Sequence, residues 1–169
     1  HNLTYHSDFI HAEDYELWLR ASKLFKLANY PKELLMYRTH PKQITREFSK
    51  VQEQISIKIL NSQLKELGVD YDQSKITLIN RFFNKSVYEN DELKVILEFI
   101  EIVLSANKKA KLYDQERLKK FFKKNLNIIW NRCTMYNYDT FYQFNKSIVT
   151  GISDISLNLY VKMLKRVLF

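Results

Sequence analysis

Two short segments of the chain contain side chains suited to acid–base and phosphate chemistry. Glu13 and Asp14 are adjacent acids, and Arg38 and His40 supply a guanidinium and an imidazole further along the chain. If folding brings these groups together, a carboxylate can take a proton from a hydroxyl nucleophile while the basic groups bind a phosphate or a metal. The residue types therefore indicate a candidate site for a hydroxyl nucleophile.

These residues also have a purely structural interpretation. Acidic side chains at a helix N-terminus are favoured by the helix dipole whatever the protein does. A single histidine after a strand is usually an ordinary loop residue. Spacing alone leaves the functional and the structural interpretations open.

The elements that would position these side chains can be predicted from the spacing of apolar residues. Residues 13–27 are predicted to form a helix, because apolar side chains recur on one face and acids occupy the first turn. The Asn29-Tyr30-Pro31 segment interrupts this helix, and residues 34–38 form a short apolar run that predicts a strand. The N-terminal part is therefore predicted to mix helix and strand.

The chain after Pro41 is predicted to be helical throughout. Only two glycines and two prolines occur in 169 residues, and sheet-rich folds need many turns that favour these residues. One helix is predicted to end at Gly68, because glycine commonly ends helices, and another to follow a cap at Asn90-Asp91. Further helices are predicted over residues 74–83, 118–133 and 155–167.

The helix that contains residues 93–104 is predicted to lie at the centre of a bundle. Apolar side chains cover most of its surface, and only a narrow polar stripe interrupts them. The predicted fold class is therefore mainly α, with a short mixed N-terminal segment followed by a C-terminal helical bundle.

The composition excludes several classes of protein. Cys133 is the only cysteine, so neither a disulfide framework nor a thiolate metal site can form within one chain. No apolar run reaches the ~20 residues that cross a bilayer, and no signal-peptide pattern is present at the start. These features predict a cytoplasmic protein. The first residue is His1 rather than Met, which predicts that the chain begins inside a longer reading frame.

The excess positive charge is confined to the last third of the chain. Residues 1–107 hold fourteen Lys/Arg and fifteen Asp/Glu, a balance of −1 (14 − 15), whereas residues 108–169 hold thirteen and four, a balance of +9 (13 − 4). Such an asymmetry predicts an anionic partner for residues 108–169, namely membrane lipid, a polyanionic substrate or nucleic acid.

The two candidate segments together resemble the end of the catalytic domain in bacterial family 2 glycosyltransferases, which have the GT-A fold. That family typically has an acid pair followed by an aromatic residue and Leu-Trp-Leu-Arg and, further along the chain, a Leu-Leu-x-Tyr-Arg-x-His-x-x-Gln-Ile-Ser run. The matched region covers residues 8–45. The first block matches at Glu13, Asp14, Tyr15, Leu17, Trp18, Leu19 and Arg20, and the second at Leu34, Leu35, Tyr37, Arg38, His40, Gln43 and Ile44, with Thr45 in place of Ser.

The resemblance implies a role for each polar residue of the match. Asp14, the second acid, resembles the catalytic base that removes the proton from an acceptor sugar hydroxyl as it attacks the anomeric carbon of the donor. Glu13 then orients its neighbour, or is itself the base if the order of the pair is reversed. His40 resembles the histidine that reaches the metal or the diphosphate, and Arg38 could bind the same diphosphate or only fix the packing of the strand. Trp18 would line the acceptor pocket, although core packing explains a tryptophan there equally well.

The resemblance also implies cofactors and partners. The full-length enzyme would use a divalent cation, Mg²⁺ or Mn²⁺, to offset charge on the leaving diphosphate, and this part of it need not bind one. The substrates would be a nucleotide-sugar donor and a glycan or lipid-linked acceptor. The reaction would be an inverting transfer in the synthesis of a surface polysaccharide.

The sequence departs from the family in one respect. An Asp-x-Asp motif that holds the metal should come before the acid pair, and only twelve residues do so here. Asp70-Tyr71-Asp72 matches the Asp-x-Asp pattern but lies after the acid pair and next to a predicted helix end, so it is interpreted as a turn or a helix cap. The chain is therefore predicted to be a fragment that is inactive by itself. In this prediction, residues 1–45 are the remnant of the catalytic domain and residues 46–169 are a helical C-terminal domain.

A non-catalytic binding module is the alternative function. Four lysines flank Phe121-Phe122 between residues 119 and 124 and could bind phosphates. Nucleic acid is nevertheless disfavoured, because no nucleic-acid-binding motif is present and both phenylalanines fall on the predicted apolar face. The basic residues of 108–169 could instead hold the protein peripherally at the anionic inner face of a membrane, or could simply form a solvated surface.

Overall fold

The computed structural model describes residues 3–38, 40, 43, 47–81, 89–132 and 142. The chain divides into two compact units, His1–Leu60 and Asn61–Phe169. The described part is mainly helical, as predicted, whereas the division between residues 45 and 46 remains a prediction. Its elements are a 3₁₀ helix at Ser7–Phe9, α1 at Glu13–Leu24, α2 at Ser49–Glu66, α3 at Gln73–Asn80, α4 at Asn90–Ala110 and α5 at Gln115–Arg132.

In the first unit, the turn before α1 is fixed by contacts with the start of α2. His11 has a positive φ of 74°, which is uncommon for a residue other than glycine. Its ring stacks on Phe48 with centroids 3.9 Å apart, and the Gln52 side chain donates a hydrogen bond to His11 O at 2.6 Å. The Lys58 ammonium lies 4.9 Å from the centroid of the Phe9 ring in the 3₁₀ helix. These contacts hold the chain in the conformation from which α1 begins.

The segment after α1 contains neither helix nor strand over residues 25–38. The prediction of a mixed N-terminal segment is therefore wrong for the described residues, and the strand predicted at residues 34–38 is absent. A strand is stable only when its backbone N–H and C=O groups pair with a neighbouring strand, and no such neighbour occurs in the described part of the chain. The apolar run is instead open to solvent, with Met36 98% exposed.

Helix α2 ends in the glycine-dependent turn that the sequence predicted. Gly68 has a φ of 73°, a conformation that is inexpensive for a residue without a Cβ. Its N–H donates to Lys65 O at 2.9 Å, and the Val69 N–H donates to Leu64 O at 2.9 Å. These two bonds form a Schellman cap. Leu64 and Val69 are both buried, so the turn directs the chain into the core of the second unit.

The Asp70-Tyr71-Asp72 sequence caps a helix, as predicted. Asp72 is the N-cap of α3, and its carboxylate accepts hydrogen bonds from the Ser74 N–H at 2.7 Å and the Ser74 hydroxyl at 2.6 Å. The bonds from the side chain and backbone of Ser74 lower the pKa of Asp72. The Tyr71 ring packs edge-on against Phe99 at 5.5 Å. The motif therefore has a structural role in starting α3.

Within the described part of the second unit, helix α4 lies between two other helices, in agreement with its apolar surface. It packs against both α3 and α5. Its N-cap is Glu89 rather than the predicted Asn90-Asp91, because the Glu89 N–H donates to the Glu92 carboxylate at 3.0 Å and the two glutamates form a reciprocal capping box. The buried apolar side chains of α4 are Leu93, Ile96, Leu97, Phe99, Ile100, Val103 and Leu104.

A short connection between α4 and α5 is held by hydrogen bonds at both ends. Lys111 has a φ of 54°, and its N–H donates to Asn107 O at 2.7 Å. The Asp114 carboxylate accepts a hydrogen bond from the Arg117 N–H at 2.8 Å, which caps the start of α5. The connection thus ends one helix and starts the next within a few residues.

Two adjacent phenylalanines of α5, Phe121 and Phe122, were both predicted to lie in the core, but only one of them is buried. Phe122 is buried and packs edge-on against Phe99 at 6.5 Å, and Leu126 and Ile129 are buried as well. Phe121 is 49% exposed, so its prediction as a core residue is wrong. Consecutive residues point about 100° apart around a helix, and only one side of α5 faces α4.

Some predicted features cannot be compared with the structure. The helix predicted at residues 155–167 and the predicted helix ends at Phe83 and Cys133 lie outside the described residues. Among the described helices, none combines the length and the apolar character needed to cross a membrane.

Candidate functional site

The acid pair forms the first turn of α1. Glu13 and Asp14 are the first two residues of the helix, and the N-cap Ala12 provides no side-chain hydrogen bond to the backbone N–H groups there. Asp14 Oδ1 accepts a hydrogen bond from the Tyr15 N–H at 2.7 Å instead. The dipole of α1 stabilises negative charge at this end of the helix. Asp14 therefore presents an exposed carboxylate at a position that favours an anion.

Glu13 has different surroundings from its neighbour. Its side chain is half-buried, and its Oε2 is buried without a hydrogen-bond partner among the described residues. Buried acceptors are normally paired, so an unpaired one requires a water, a cation or a donor from another molecule. The two acids thus occupy distinct environments, with Asp14 in solvent and one oxygen of Glu13 enclosed by protein.

Trp18 lies one turn after Asp14 on the same face of α1, because residues four apart are neighbours on a helix surface. Its side chain is 57% exposed, so Trp18 does not pack into the core of the described residues. Tyr15 is also exposed and lies beside it. An exposed aromatic ring beside a carboxylate suits a sugar, since the ring contacts apolar faces while the carboxylate bonds to hydroxyl groups.

Arg20 and Glu16 form an ion pair that attaches the N-terminal segment to α1. Arg20 Nε and one terminal guanidinium nitrogen donate to the two oxygens of Glu16 at 2.6 and 2.8 Å, and that same nitrogen donates to Thr4 O at 2.6 Å. The hydrogen bond from Arg20 lowers the pKa of the buried Glu16 carboxyl. Sequence reasoning missed Glu16, although its spacing of four residues to Arg20 is a recognisable signal. Both residues position the helix that carries the acid pair.

Arg38 and His40 are both exposed, and Gln43 forms a hydrogen bond to the backbone of each. The Gln43 side chain donates to Arg38 O at 2.9 Å, and the Gln43 N–H donates to His40 O at 3.3 Å. Within the described part of the chain, no hydrogen bond or ion pair joins Arg38 or His40 to Glu13 or Asp14. All four residues belong to the first unit.

The described residues do not form a complete metal site. They contain no group of three or more His, Cys, Asp and Glu side chains that could hold a metal ion. A divalent cation requires several oxygen or nitrogen ligands around it, and His40 supplies a single imidazole. The donor set of this part of the chain therefore does not fit the cation that the resemblance implies.

Comparison with known proteins relates the chain to a glycosyltransferase. It is 32% identical, over 114 aligned residues covering 64% of this chain and 34% of the relative, to a Haemophilus influenzae protein named "Uncharacterized glycosyltransferase". The chain thus spans about a third of the length of that relative. No family model matches the chain, and no solved structure matches it. The similarity supports a relationship to glycosyltransferases.

Proposed function

We propose that the chain is part of an inverting family 2 glycosyltransferase of the GT-A fold, which transfers a sugar from a nucleotide-sugar donor to a glycan or lipid-linked acceptor. The observation that carries this proposal is the exposed face of α1, where Asp14 and Trp18 lie one turn apart. The similarity to a protein named as a glycosyltransferase supports the same class of reaction. The setting would be the synthesis of a surface polysaccharide at the cytoplasmic face of a membrane.

In the proposed reaction, Asp14 is the general base. Its carboxylate takes the proton of the acceptor hydroxyl while that oxygen forms a bond to the anomeric carbon of the donor. The bond from the anomeric carbon to the nucleotide diphosphate breaks at the same time, and the diphosphate leaves with the electron pair. The exposure of Asp14 supports this role, because the base must reach a hydroxyl that arrives from solvent. Trp18 would hold the acceptor ring against the same face.

Glu13 is proposed to orient the acceptor or its neighbouring acid rather than to act as the base. Its buried, unpaired Oε2 would accept a hydrogen bond from a hydroxyl or from a group contributed by the remainder of the enzyme. Such a bond would satisfy an acceptor that otherwise costs about 1–3 kcal/mol to leave unpaired. This assignment gives each acid of the pair a role that matches its environment.

Arg38 and His40 are proposed to bind the diphosphate of the donor. Both side chains are exposed and lie two residues apart in the chain, so both could approach the same anion, and a guanidinium can form two parallel bonds to a phosphate. A Mg²⁺ or Mn²⁺ ion on His40 would need its other ligands from outside the described residues. The proposed proton transfer to Asp14 does not depend on that ion.

The exposed apolar segment after α1 supports the proposal that a longer protein carries the activity. Contiguous exposed apolar side chains usually mark a surface that another part of a protein covers. We propose that another part of the longer enzyme covers these side chains, and that this chain alone is inactive. The exposed side chains of this segment are Leu34, Leu35, Met36 and Tyr37.

Substitution of the acid pair in the longer enzyme tests the proposed base. Asp14→Asn keeps the shape of the side chain and removes the base, so kcat should fall about 10²–10⁴-fold while the KM for the donor is unchanged. A panel of nucleotide sugars is first tested to find one that the wild-type enzyme turns over. The assay then measures the release of nucleoside diphosphate from that nucleotide sugar. Asp8→Asn is the matched control, because Asp8 is an exposed acid in the 3₁₀ helix of the same unit.

The outcomes of this experiment separate the possible assignments. A loss with Glu13→Gln and none with Asp14→Asn would show that the order of the pair is reversed. Normal turnover in both variants would contradict the proposed mechanism. Trp18→Ala should raise the KM for the acceptor about 2–10-fold without changing that for the donor, and Trp18→Phe should restore most of the acceptor affinity.

A further inference from the structure

One face of α5 combines cationic side chains with exposed apolar ones. We call this set the basic face, and it consists of Arg117, Lys120, Phe121, Lys124 and Ile128. These positions fall within an arc of about 100° on a helix with 3.6 residues per turn. Phe121 is 49% exposed and Ile128 is 41% exposed, and the three cations are exposed beside them. In an amphipathic helix whose other side is buried, large apolar side chains on the solvent face need a separate explanation.

The connection between α4 and α5, which directly precedes this helix, has the same composition. Leu112 and Tyr113 are large apolar side chains that are exposed in the connection. Lys108 and Lys109 in the last turn of α4 and Lys111 in the connection are exposed around them. The same combination of lysines and exposed apolar residues therefore occurs on both sides of the start of α5.

The acidic residues of this region do not neutralise the basic face. Residues 108–132 hold nine Lys/Arg and two Asp/Glu, a net charge of +7 (9 − 2). Of the two acids, Glu116 pairs with Lys119 at 3.1 Å, and Asp114 accepts the hydrogen bond that caps α5. Residues 108–132 therefore carry most of the net positive charge of the chain, and three of their cations, Arg117, Lys120 and Lys124, belong to the basic face.

We propose that the basic face and the adjoining connection dock the protein peripherally on an anionic membrane surface. Lysine and arginine side chains near such a surface are attracted to acidic headgroups. Phe121, Ile128 and Leu112 would enter the boundary between headgroups and acyl chains, as the apolar side of an interfacial helix does. The long basic side chains can bury their methylene stems while their charged ends stay in water. This inference is independent of the proposed sugar transfer.

The apolar composition of the surface favours lipid over nucleic acid. Single-stranded nucleic acid is held by cations and by aromatic rings that stack on bases. Ile128 and Leu112 are aliphatic and cannot stack in that way, whereas both gain from leaving water at a lipid boundary. The basic face therefore matches an acidic lipid surface in charge and in apolar character.

Vesicle binding by this chain tests the proposal. The wild type should bind phosphatidylcholine vesicles that contain about 30% phosphatidylglycerol, and not vesicles of phosphatidylcholine alone, because the attraction comes from the acidic headgroups. Binding should weaken from low to high salt, since the Debye length falls from about 10 Å at 0.1 M to about 3 Å at 1 M. The measurement is co-sedimentation, with circular dichroism to confirm that each variant is folded.

Matched variants distinguish the basic face from net charge. The triple variant Arg117→Gln, Lys120→Gln, Lys124→Gln should bind acidic vesicles about 100-fold more weakly, because each basic residue contributes about five-fold. The control variant Lys26→Gln, Lys32→Gln, Lys65→Gln removes the same charge from exposed lysines elsewhere and should bind like the wild type.

A second variant tests the apolar part of the surface without changing charge. Phe121→Ser should weaken binding to acidic vesicles at least about five-fold, because less apolar area enters the lipid boundary. Equal affinity of the two triple variants would overturn the proposal, as would equal binding of the wild type to acidic and neutral vesicles. Binding of a fluorescently labelled single-stranded RNA in preference to acidic vesicles at the same salt concentration would assign the surface to nucleic acid instead.

Discussion

Asn107 provides a direct test of how the second unit is held together, because its buried amide connects α4 to the start of α5. The side chain is 1% exposed. Its Nδ2 donates to Tyr113 O at 2.9 Å and to Gln115 Oε1 at 2.7 Å, and its Oδ1 accepts from the Tyr113 N–H at 2.9 Å. Gln115 in turn donates to Leu104 O at 3.1 Å. We predict that Asn107→Leu destabilises the second unit.

The expected size of the effect follows from these contacts. Each intramolecular hydrogen bond contributes about 0.5–1.5 kcal/mol net, so the three bonds of the amide contribute about 1.5–4.5 kcal/mol. Leucine has a similar volume, so the substitution adds little cost from a cavity. Tyr113 is partly exposed, and its freed backbone groups can therefore bond to water. The free energy of unfolding should fall by about 2–3 kcal/mol.

Urea denaturation followed by far-UV circular dichroism measures this loss, and the slope against urea concentration should be unchanged. Asn125→Leu is the matched control, because the Asn125 side chain is half-buried on α5 and donates to Phe121 O at 2.8 Å. That carbonyl belongs to the helix backbone, so losing the contact should cost less than about 0.5 kcal/mol. A loss for Asn107→Leu no larger than that for Asn125→Leu would refute the account of the connection.

Two further predictions concern ionisable groups. Burial raises the pKa of Tyr71 to about 12, with Glu98 as a second cause, so the neutral phenol is favoured in the folded state. The wild type should therefore lose stability as pH rises from the ordinary value of 10.0 to about 12. The Tyr71→Phe variant should lose less stability over this pH range, and identical alkaline denaturation curves for the variant and the wild type would contradict this. At neutral pH the variant should be equally stable or up to about 1 kcal/mol more stable, because the hydroxyl is buried without a partner among the described residues. The hydrogen bond from Arg20 lowers the pKa of Glu16 below 4.5, so its stabilisation is complete above that pH and is lost as pH falls through the folded value. Glu16→Gln should destabilise the protein by about 1–2 kcal/mol at pH 7. In urea titrations, the variant should lose less unfolding free energy between pH 7 and pH 3 than the wild type does. An equal loss in both proteins would refute the assignment.

The helices could be predicted from sequence because their signals are local. The apolar side chains of α4 cover most of its surface, which is the property of a helix that lies between two others. Gly68 predicted the end of α2 because its conformation is costly for other residues. The cap formed by Asp72 likewise depends on a serine only two residues away. Each of these features is determined by residues close together in the chain.

The strand predicted at residues 34–38 failed for the opposite reason. An alternation or run of apolar residues indicates that a segment has a side to bury, but a strand forms only if another strand supplies its hydrogen bonds. No partner is present among the described residues, so the apolar side chains remain exposed. The pattern therefore marks side chains suited to burial, and the described part of the chain does not bury them.

Phe121 and Phe122 show a different limit. Adjacent residues on a helix point about 100° apart, so a face that packs against one neighbouring helix does not enclose both. The apolar pattern of α5 alone does not say how many helices pack against it, and it was interpreted as if both phenylalanines were enclosed. The exposure of Phe121 depends on the packing of α5 against α4, which is a property of the tertiary structure.

The candidate site combines both kinds of information. The placement of Asp14 and Trp18 on one face follows from their spacing of four residues, and only the direction of that face required the structure. Whether Arg38 and His40 approach the acids depends on the tertiary structure, and no hydrogen bond or ion pair joins the two groups in the described residues. If another part of the proposed enzyme covers residues 34–38, the contact that buries Leu34 and Met36 would also position the adjacent Arg38 and His40. The exposure of the apolar run and the lack of a bond between the basic residues and the acids would then have a single cause.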